Sequence, residues 1–119
     1  MNRKAIGDIA EQRACEYLQR QGLKLLRRNF RCRGGEIDLI MQHGDSLVFI
    51  EVRYRRHTAF GRAAETVSSL KQNRIIRCAQ FYINRFQCWN SAARFDVVSL
   101  EGDRNQLQID WIADAFRVN

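Results

Sequence analysis

Proline is absent from this chain of 119 residues, and no segment is rich in glycine and serine. The compositional signs of a flexible linker or a low-complexity segment are therefore missing. No internal repeat is evident either, which argues against a repeat architecture. A chain of this length without linkers is expected to fold as a single domain that covers residues 1–119.

Long apolar runs are missing as well. The first residues, Met1-Asn2-Arg3-Lys4, are not followed by the apolar stretch of a secretion signal. No window approaches the ~18 consecutive apolar residues that cross a membrane. We therefore expect a soluble, cytoplasmic protein without a membrane partner.

Cysteine is scarce and widely spaced. The four cysteines include no Cys-x-x-Cys pair, so the spacing of a zinc knuckle or of a redox motif is not present. Reduced, unpaired thiols are the expectation for a cytoplasmic protein. The cysteines are Cys15, Cys32, Cys78 and Cys88.

Lysine is rare, whereas arginine is abundant. The 20 basic residues outnumber the 13 acidic ones and give a net charge of +7, yet only Lys4, Lys24 and Lys71 are lysines. The planar guanidinium group pairs bidentately with phosphate, so arginine clusters at residues 27–33 and 53–56 are typical of a surface that binds a polyanion. Nucleic acid is the partner that this composition favours.

Acidic residues interrupt two runs, 35–41 and 47–53, that otherwise have the composition of buried strands. Gly44-Asp45 between the runs is typical of a two-residue type II′ turn, which places Asp38 opposite Glu51 and Glu36 opposite Arg53. Directly opposed carboxylates destabilise a sheet. A divalent cation held by these hard oxygen ligands would remove the repulsion, whereas Glu36 and Arg53 are more typical of a cross-strand ion pair.

The remaining pattern predicts seven elements in the order αβββαββ, an α/β or α+β sandwich with helices packed against a sheet. The first helix is expected from about Arg3 to Gln21, with Glu11 at the edge of its apolar stripe. The second is expected from Ser69, which forms a capping box with Gln72, to about Phe86. Lys71 interrupts its apolar row and therefore points inward or along an edge. The strands are predicted at 23–31, 35–41, 47–53, 93–100 and 107–113, with a polar loop at 57–65.

Five motifs resemble the YraN family over nearly the full length of the chain. They are Gly7-x-x-x-Glu11, Asn29-Phe30-Arg31, Gly35-Glu36-Ile37-Asp38-Leu39-Ile40, Phe49-Ile50-Glu51-Val52-Arg53 and Arg94-Phe95-Asp96-Val97-Val98. That family is a set of small bacterial proteins proposed to be endonucleases and distantly similar to archaeal Holliday junction resolvases. The resemblance implies the restriction-endonuclease-like α/β fold of the PD-(D/E)xK superfamily, a central mixed five-stranded sheet flanked by helices.

The resemblance also implies roles for individual residues. Asp38, Glu51 and Glu11 take the positions of ligands to Mg²⁺ or Mn²⁺, and Arg53 stands where the superfamily has a catalytic lysine. Arginine stays protonated and cannot act as a general base, although its fixed charge stabilises a charged transition state. As an alternative to Arg53 that does not come from the resemblance, Lys71 would reach the site from the second helix and supply the amine. Structural interpretations stay open for Glu11, as an exposed helix residue, and for Lys71, as a core-edge side chain that extends to solvent.

These observations give the hypothesis of a metal-dependent endonuclease that hydrolyses DNA phosphodiester bonds, at branched or recombination-type structures if the resemblance extends to substrate. A homodimer would allow two strands to be cut symmetrically. The alternative is a catalytically inactive nucleic-acid-binding protein of the same fold that acts as a module in DNA processing. The side chains expected to contact the DNA backbone are Arg31, Arg33, Arg55, Arg56 and Arg62.

Overall fold

The computed structural model describes residues 2–56, 67–103 and 105–118. The predicted order αβββαββ is confirmed. The predicted loop at 57–65, including Arg62, lies outside the described residues. The elements are α1 (Arg3–Arg20), β1 (Lys24–Cys32), β2 (Gly35–His43), β3 (Ser46–Arg55), α2 (Ser69–Arg85), β4 (Ala92–Asp103) and β5 (Gln106–Phe116).

The five strands form one mixed sheet in the order β1-β2-β3-β4-β5. Neighbouring strands are antiparallel except β3 and β4, which run parallel. A parallel pair needs a crossover connection, and α2 lies in the segment that joins these two strands. The mixed five-stranded α/β sheet expected from the family resemblance is therefore confirmed.

One helix covers each face of the sheet, and the side chains of β3 show how the faces divide. Val48 and Ile50 pack in the apolar cluster that contains the buried residues of α1. Leu47 and Phe49 pack in the cluster that contains the buried residues of α2. Since successive side chains of a strand point to opposite faces, Glu51 continues the row that faces α2.

The hairpin of β2 and β3 has the register that the turn sequence predicts. His43 pairs with Ser46, so Gly44 and Asp45 are the two turn residues. Gly44 has a φ of +60°, whereas Asp45 is not among the residues of positive φ. This combination is typical of the type II′ turn, which allows a positive φ only at its first central position.

Helix α2 begins at the predicted residue but is capped differently. Ser68, not Ser69, is the N-cap, and its hydroxyl accepts a hydrogen bond from the Lys71 amide at 3.1 Å. The Gln72 side chain donates back to the Val67 carbonyl at 2.9 Å. The predicted capping box of Ser69 with Gln72 is therefore wrong by one residue, because the serine that keeps an extended backbone is the one that can accept from the first turn.

No helix in the three described ranges is long and apolar enough to cross a membrane. The four cysteines are free thiols, as their spacing predicts. Cys15 and Cys78 are buried in the two apolar clusters, one on each face of the sheet.

A buried carboxylate, that of Asp96, joins β4 to β5. Asp96 has no exposed surface. Its Oδ1 accepts from Arg94 Nε at 3.0 Å and from the Asp114 amide at 2.9 Å, and its Oδ2 accepts from Trp111 Nε1 at 2.9 Å. This charge is therefore compensated by protein groups, among them the guanidinium group of Arg94.

Substitution Asp96→Asn is expected to lower the free energy of unfolding by about 2 kcal/mol, because hydrogen bonds to a charged acceptor are worth more than those to an amide. Urea denaturation at fixed pH measures this loss. The exposed Asp8 provides the control, and Asp8→Asn should change the free energy of unfolding by less than about 0.5 kcal/mol. Equal stability of the two variants would contradict the assignment.

Candidate active site

The backbone ladder between β2 and β3 ends where the acids begin. The last pair in the described register is Leu39–Ile50. Beyond it, the Val52 amide donates a hydrogen bond of 2.8 Å to Asp38 Oδ2. A side chain thus takes the place of the next backbone acceptor, and this bond holds the Asp38 carboxyl group against β3.

The carboxyl groups of Asp38 and Glu51 line the same pocket and act on one another electrostatically. Burial raises the pKa of Asp38 to about 9, and the neighbouring Glu51 carboxyl group contributes to the same shift. At neutral pH the Asp38 carboxyl group therefore keeps its proton. The structure brings Asp38 and Glu51 into one pocket as the sequence predicts, although the backbone pairing of β2 and β3 ends one residue earlier.

Lys71 reaches this pair from the first turn of α2. Its Nζ lies 2.8 Å from Glu51 Oε2, and its side chain is 45% exposed while that of Glu51 is 5% exposed. This contact between Lys71 Nζ and Glu51 Oε2 does not have the geometry of a hydrogen bond. Among the described residues, the buried Glu51 Oε2 atom therefore has no hydrogen-bond partner. Of the two interpretations of Lys71, the structure favours the one in which its amine enters the site.

The acids lie in a pocket of about 430 Å³ between β2, β3 and α2. Gly35 permits this arrangement, because a Cβ atom at that position would lie 3.0 Å from the carbonyl oxygen of Arg74 on α2. The wall combines three acidic side chains, Glu36, Asp38 and Glu51, with three basic ones, Arg31, Lys71 and Arg74. It is formed by Arg31, Cys32, Gly34, Gly35, Glu36, Asp38, Glu51, Lys71, Arg74 and Ile75.

Glu11 lies beside the pocket and is not among its lining residues. Asn29, which has a φ of +50°, bridges two acids when its amide nitrogen faces them, at 3.0 Å from Glu11 Oε1 and 3.2 Å from Glu36 Oε1. Burial, followed by the charge of Glu36, raises the pKa of Glu11. Its own charge contributes to the raised pKa of Asp38, so Glu11 acts on the site electrostatically.

The predicted ion pair of Glu36 with Arg53 is wrong. Glu36 instead pairs with Arg31 on the other neighbouring strand, with 3.7 Å between Glu36 Oε1 and Arg31 Nε. The reason lies in the register, because Arg31 is directly opposite Glu36 in β1 whereas the ladder to β3 has already ended. Glu36 thus forms an ion pair, as predicted, but with Arg31 in place of Arg53.

Arg53 shares the face of Glu51 but is not among the residues that line the pocket in the described part of the chain. Two residues along a strand correspond to about 6.6 Å, which separates the guanidinium stem from the paired acids. Its neighbour across the parallel pair is Ser99 of β4. The positive charge nearest to Glu51 is therefore that of Lys71 and not that of the residue at the motif position.

The predicted DNA contacts that the structure describes divide into two groups. Arg31 lines the pocket with a side chain that is 78% exposed, and Arg33 is exposed in the adjoining turn. Arg55 is partly buried at the end of β3 and Arg56 is exposed just after it. The sequence prediction missed Arg74, although its spacing of three residues from Lys71 on a helix would have placed both side chains near one another.

Two carboxylates and an oxygen without a hydrogen bond fit a divalent cation with few protein ligands. Within residues 2–56, 67–103 and 105–118, no group of three or more acidic, histidine or cysteine side chains is arranged to hold a metal. Mg²⁺ commonly uses one or two carboxylates and completes its shell with water and phosphate oxygens. Asp38 and Glu51 would be the direct ligands, and Glu11 would act through water.

Comparisons with known proteins agree on one relationship. The model of the "Uncharacterised protein family UPF0102" matches residues 10–100, a range that includes the paired acids and Lys71. A UPF0102 protein of Nitrosococcus oceani is 51% identical, with 94% of this chain and 91% of that protein covered. UPF0102 protein PputW619_0932 of Pseudomonas putida is 46% identical, with coverages of 92% and 91%. A UPF0102 protein of Colwellia psychrerythraea is also 46% identical, with coverages of 92% and 87%.

Proposed function

Since the chain belongs to the uncharacterised protein family UPF0102, the YraN family that its motifs resemble, we propose that it is a divalent-metal-dependent endonuclease of DNA. One observation carries the proposal. Asp38 and Glu51 line one pocket, and Lys71 Nζ lies 2.8 Å from Glu51 Oε2 in the same pocket. Branched or recombination-type DNA is the substrate that the family resemblance favours.

Two carboxyl groups that line one pocket support a cation site. Metal ligands must lose their protons before they bind, so Asp38, whose pKa is raised to about 9, would exchange its proton for a divalent cation. We propose Mg²⁺ or Mn²⁺, the hard cations that carboxylates prefer. When bound, such a cation would polarise a phosphodiester and lower the pKa of an attacking water molecule.

The chain's own residues would position the phosphate and neutralise its charge. The Lys71 ammonium, displaced from Glu51 when a cation takes that place, would donate to a non-bridging phosphate oxygen and stabilise the additional negative charge of the transition state. Arg31 and Arg74 in the pocket wall would orient the phosphate with paired N–H donors. Glu11 would orient water at the edge of the site, and Arg53 would contribute a more distant positive charge.

The test is incubation of the purified protein with branched, single-stranded and duplex DNA in Mg²⁺, in Mn²⁺ and in EDTA. Cleavage that requires the divalent cation is the expected result. Binding without cleavage on every substrate would favour the inactive nucleic-acid-binding alternative, which the arginine at position 53 motivates. For substrates that are cut on both strands, we propose that the protein acts as a homodimer. Light scattering of the DNA complex measures the number of protein chains bound.

Lys71→Met is expected to reduce the rate constant of cleavage on the order of 10²-fold, because it removes the amine that stabilises the transition state. The matched variant Arg53→Met removes the other basic candidate and should reduce the rate less than about tenfold. Single-turnover kinetics at saturating DNA separates this loss from weaker binding. A larger loss of the cleavage rate constant for Arg53→Met than for Lys71→Met would contradict this assignment and indicate Arg53 as the catalytic basic residue.

A further inference from the structure

Helix α2 and strand β1 contain no acidic residue. Each carries four basic residues, so together they hold eight of the chain's 20 basic residues and none of its 13 acids. The basic residues of the rest of the chain are nearly balanced by acids. The net charge of +7 is therefore concentrated on these two elements.

The two elements are packed together, so their charges belong to one surface. Phe30 of β1 contacts Tyr82 of α2 edge to face, with ring centroids 5.2 Å apart. At the far end, Arg27 of β1 and Arg85 of α2 both lie over the Phe86 ring, with their Cζ atoms 4.5 Å and 5.5 Å from its centroid. Guanidinium groups from the strand and from the helix thus meet at one shared aromatic ring.

The outer face of α2 carries an exposed row that starts at the pocket. Arg74, Arg77, Phe81 and Arg85 follow each other at intervals of three or four residues, which places them on one face of the helix; we call this row the arginine stripe. Arg74 lines the pocket, and the stripe extends about 16 Å from it along the helix. A polyanion bound along the stripe would pass into the site.

Phe81 is the unusual member of the stripe. Its side chain is 48% exposed although it is aromatic and lies between two arginines. Its ring centroid lies 6.2 Å from that of Phe30, so the exposed ring is supported from beneath. An exposed aromatic ring among arginines is the arrangement on which unpaired bases stack.

We infer that the arginine stripe binds single-stranded DNA, with an unpaired base stacked on Phe81 and backbone phosphates on Arg74, Arg77 and Arg85. A duplex stacks its bases against one another and offers no base face to Phe81, so the ring has a use only with unpaired nucleotides. The inference deepens the proposed nuclease function, because it identifies the substrate segment that leads to the pocket as unpaired. Binding itself requires neither metal nor cleavage.

The experiment compares an oligothymidylate with a duplex of equal length by fluorescence anisotropy in EDTA, using the full chain. Phe81→Leu keeps an apolar side chain against Phe30 but removes the stacking surface. We expect its Kd for the single strand to rise on the order of tenfold, and its Kd for the duplex to change less than about twofold. Phe81→Tyr keeps a ring and should bind the single strand as the wild type does.

Two arginine variants test the contribution of the charged side chains of the stripe. Arg77→Ala removes one phosphate contact and should reduce the slope of log Kobs against log salt concentration by about 0.7 for single-stranded DNA. Arg13→Ala removes the same charge from an exposed position on α1, which covers the other face of the sheet, and should leave the slope unchanged.

Unchanged single-strand affinity in Phe81→Leu would overturn the inference, and so would equal losses on both substrates or an absence of single-strand binding by the wild-type protein. Circular dichroism melting of each variant shows that a loss of binding does not reflect unfolding. The binding assay contains EDTA and is therefore independent of cleavage. Binding of the expected kind, together with no cleavage of any substrate in Mg²⁺ or Mn²⁺, would remove the nuclease proposal and leave the inference about the arginine stripe. Cleavage by the wild-type protein together with unchanged single-strand binding by Phe81→Leu would keep the nuclease proposal and remove the inference about the stripe.

Discussion

Asp38→Asn is expected to reduce metal-dependent cleavage of DNA on the order of 10³-fold or more, with the fold retained. The side chain keeps its size, but its charge is lost, and with it one of the two carboxylates proposed to hold the cation. The hydrogen bond from the Val52 amide can be kept by the amide oxygen of asparagine, so β2 and β3 should stay in place. Loss of activity in a folded variant is thus the specific expectation.

Glu51→Gln is expected to have a similar effect, and the double variant should be little worse than either single one, because the two acids act as one unit. The control is Glu36→Gln, since Glu36 lines the same pocket but is paired with Arg31. Its cleavage rate should stay within about tenfold of wild type. Full activity of the double variant would remove these acids from the mechanism and place the chemistry elsewhere in the chain.

In metal-free buffer the wild-type protein is expected to lose stability as the pH rises from about 4 to about 9. The pKa of Asp38 is raised to about 9 in the folded state, mainly by burial, whereas an unfolded aspartate titrates near ~3.9. Between these values the folded state holds one more proton than the unfolded state, so the free energy of unfolding falls with increasing pH. One titrating proton limits the slope to about 1.4 kcal/mol per pH unit. Because the Asp38 side chain is partly exposed, the measured slope should be smaller than this limit.

Asp38→Asn should remove this slope, since asparagine does not titrate. At pH 8 the variant is therefore expected to be more stable than the wild-type protein by about 3 kcal/mol, although it is inactive. Urea denaturation in EDTA at pH 5, 6, 7 and 8 measures the difference. The exposed Asp8→Asn variant should follow the wild-type profile. Parallel profiles for Asp38→Asn and wild type would mean that no proton is retained by the acid pair.

The hairpin could be predicted from sequence because a few residues determine it. Gly44-Asp45 fixes the turn, the turn fixes the register, and the register brings Asp38 towards Glu51. The partner of Glu36 was predicted wrongly for the same reason, since counting along one ladder assumes that the ladder continues and that the other neighbouring strand does not compete. Register is local information, whereas the neighbour on the far side of a strand depends on the whole sheet.

The basic residues of the site were harder to predict. The motif position favours Arg53, and only the apolar periodicity of the second helix indicated that Lys71 points inward. Sequence reasoning also favoured dense arginine runs such as Arg55-Arg56 over residues spread along a helix. The arginine stripe is visible only when the packed face of α2 is known, because its members are three or four residues apart.

The bond between the Val52 amide and Asp38 gives the sheet a mechanical property at this point. Elsewhere the spacing of β2 and β3 is set by rigid main-chain pairs, but here it depends on a side chain with its own rotatable bonds. Rotation of the Asp38 side chain would therefore change the gap between the acids without separating the strands. The proposed exchange of a proton for a larger hydrated cation would need only such a rotation.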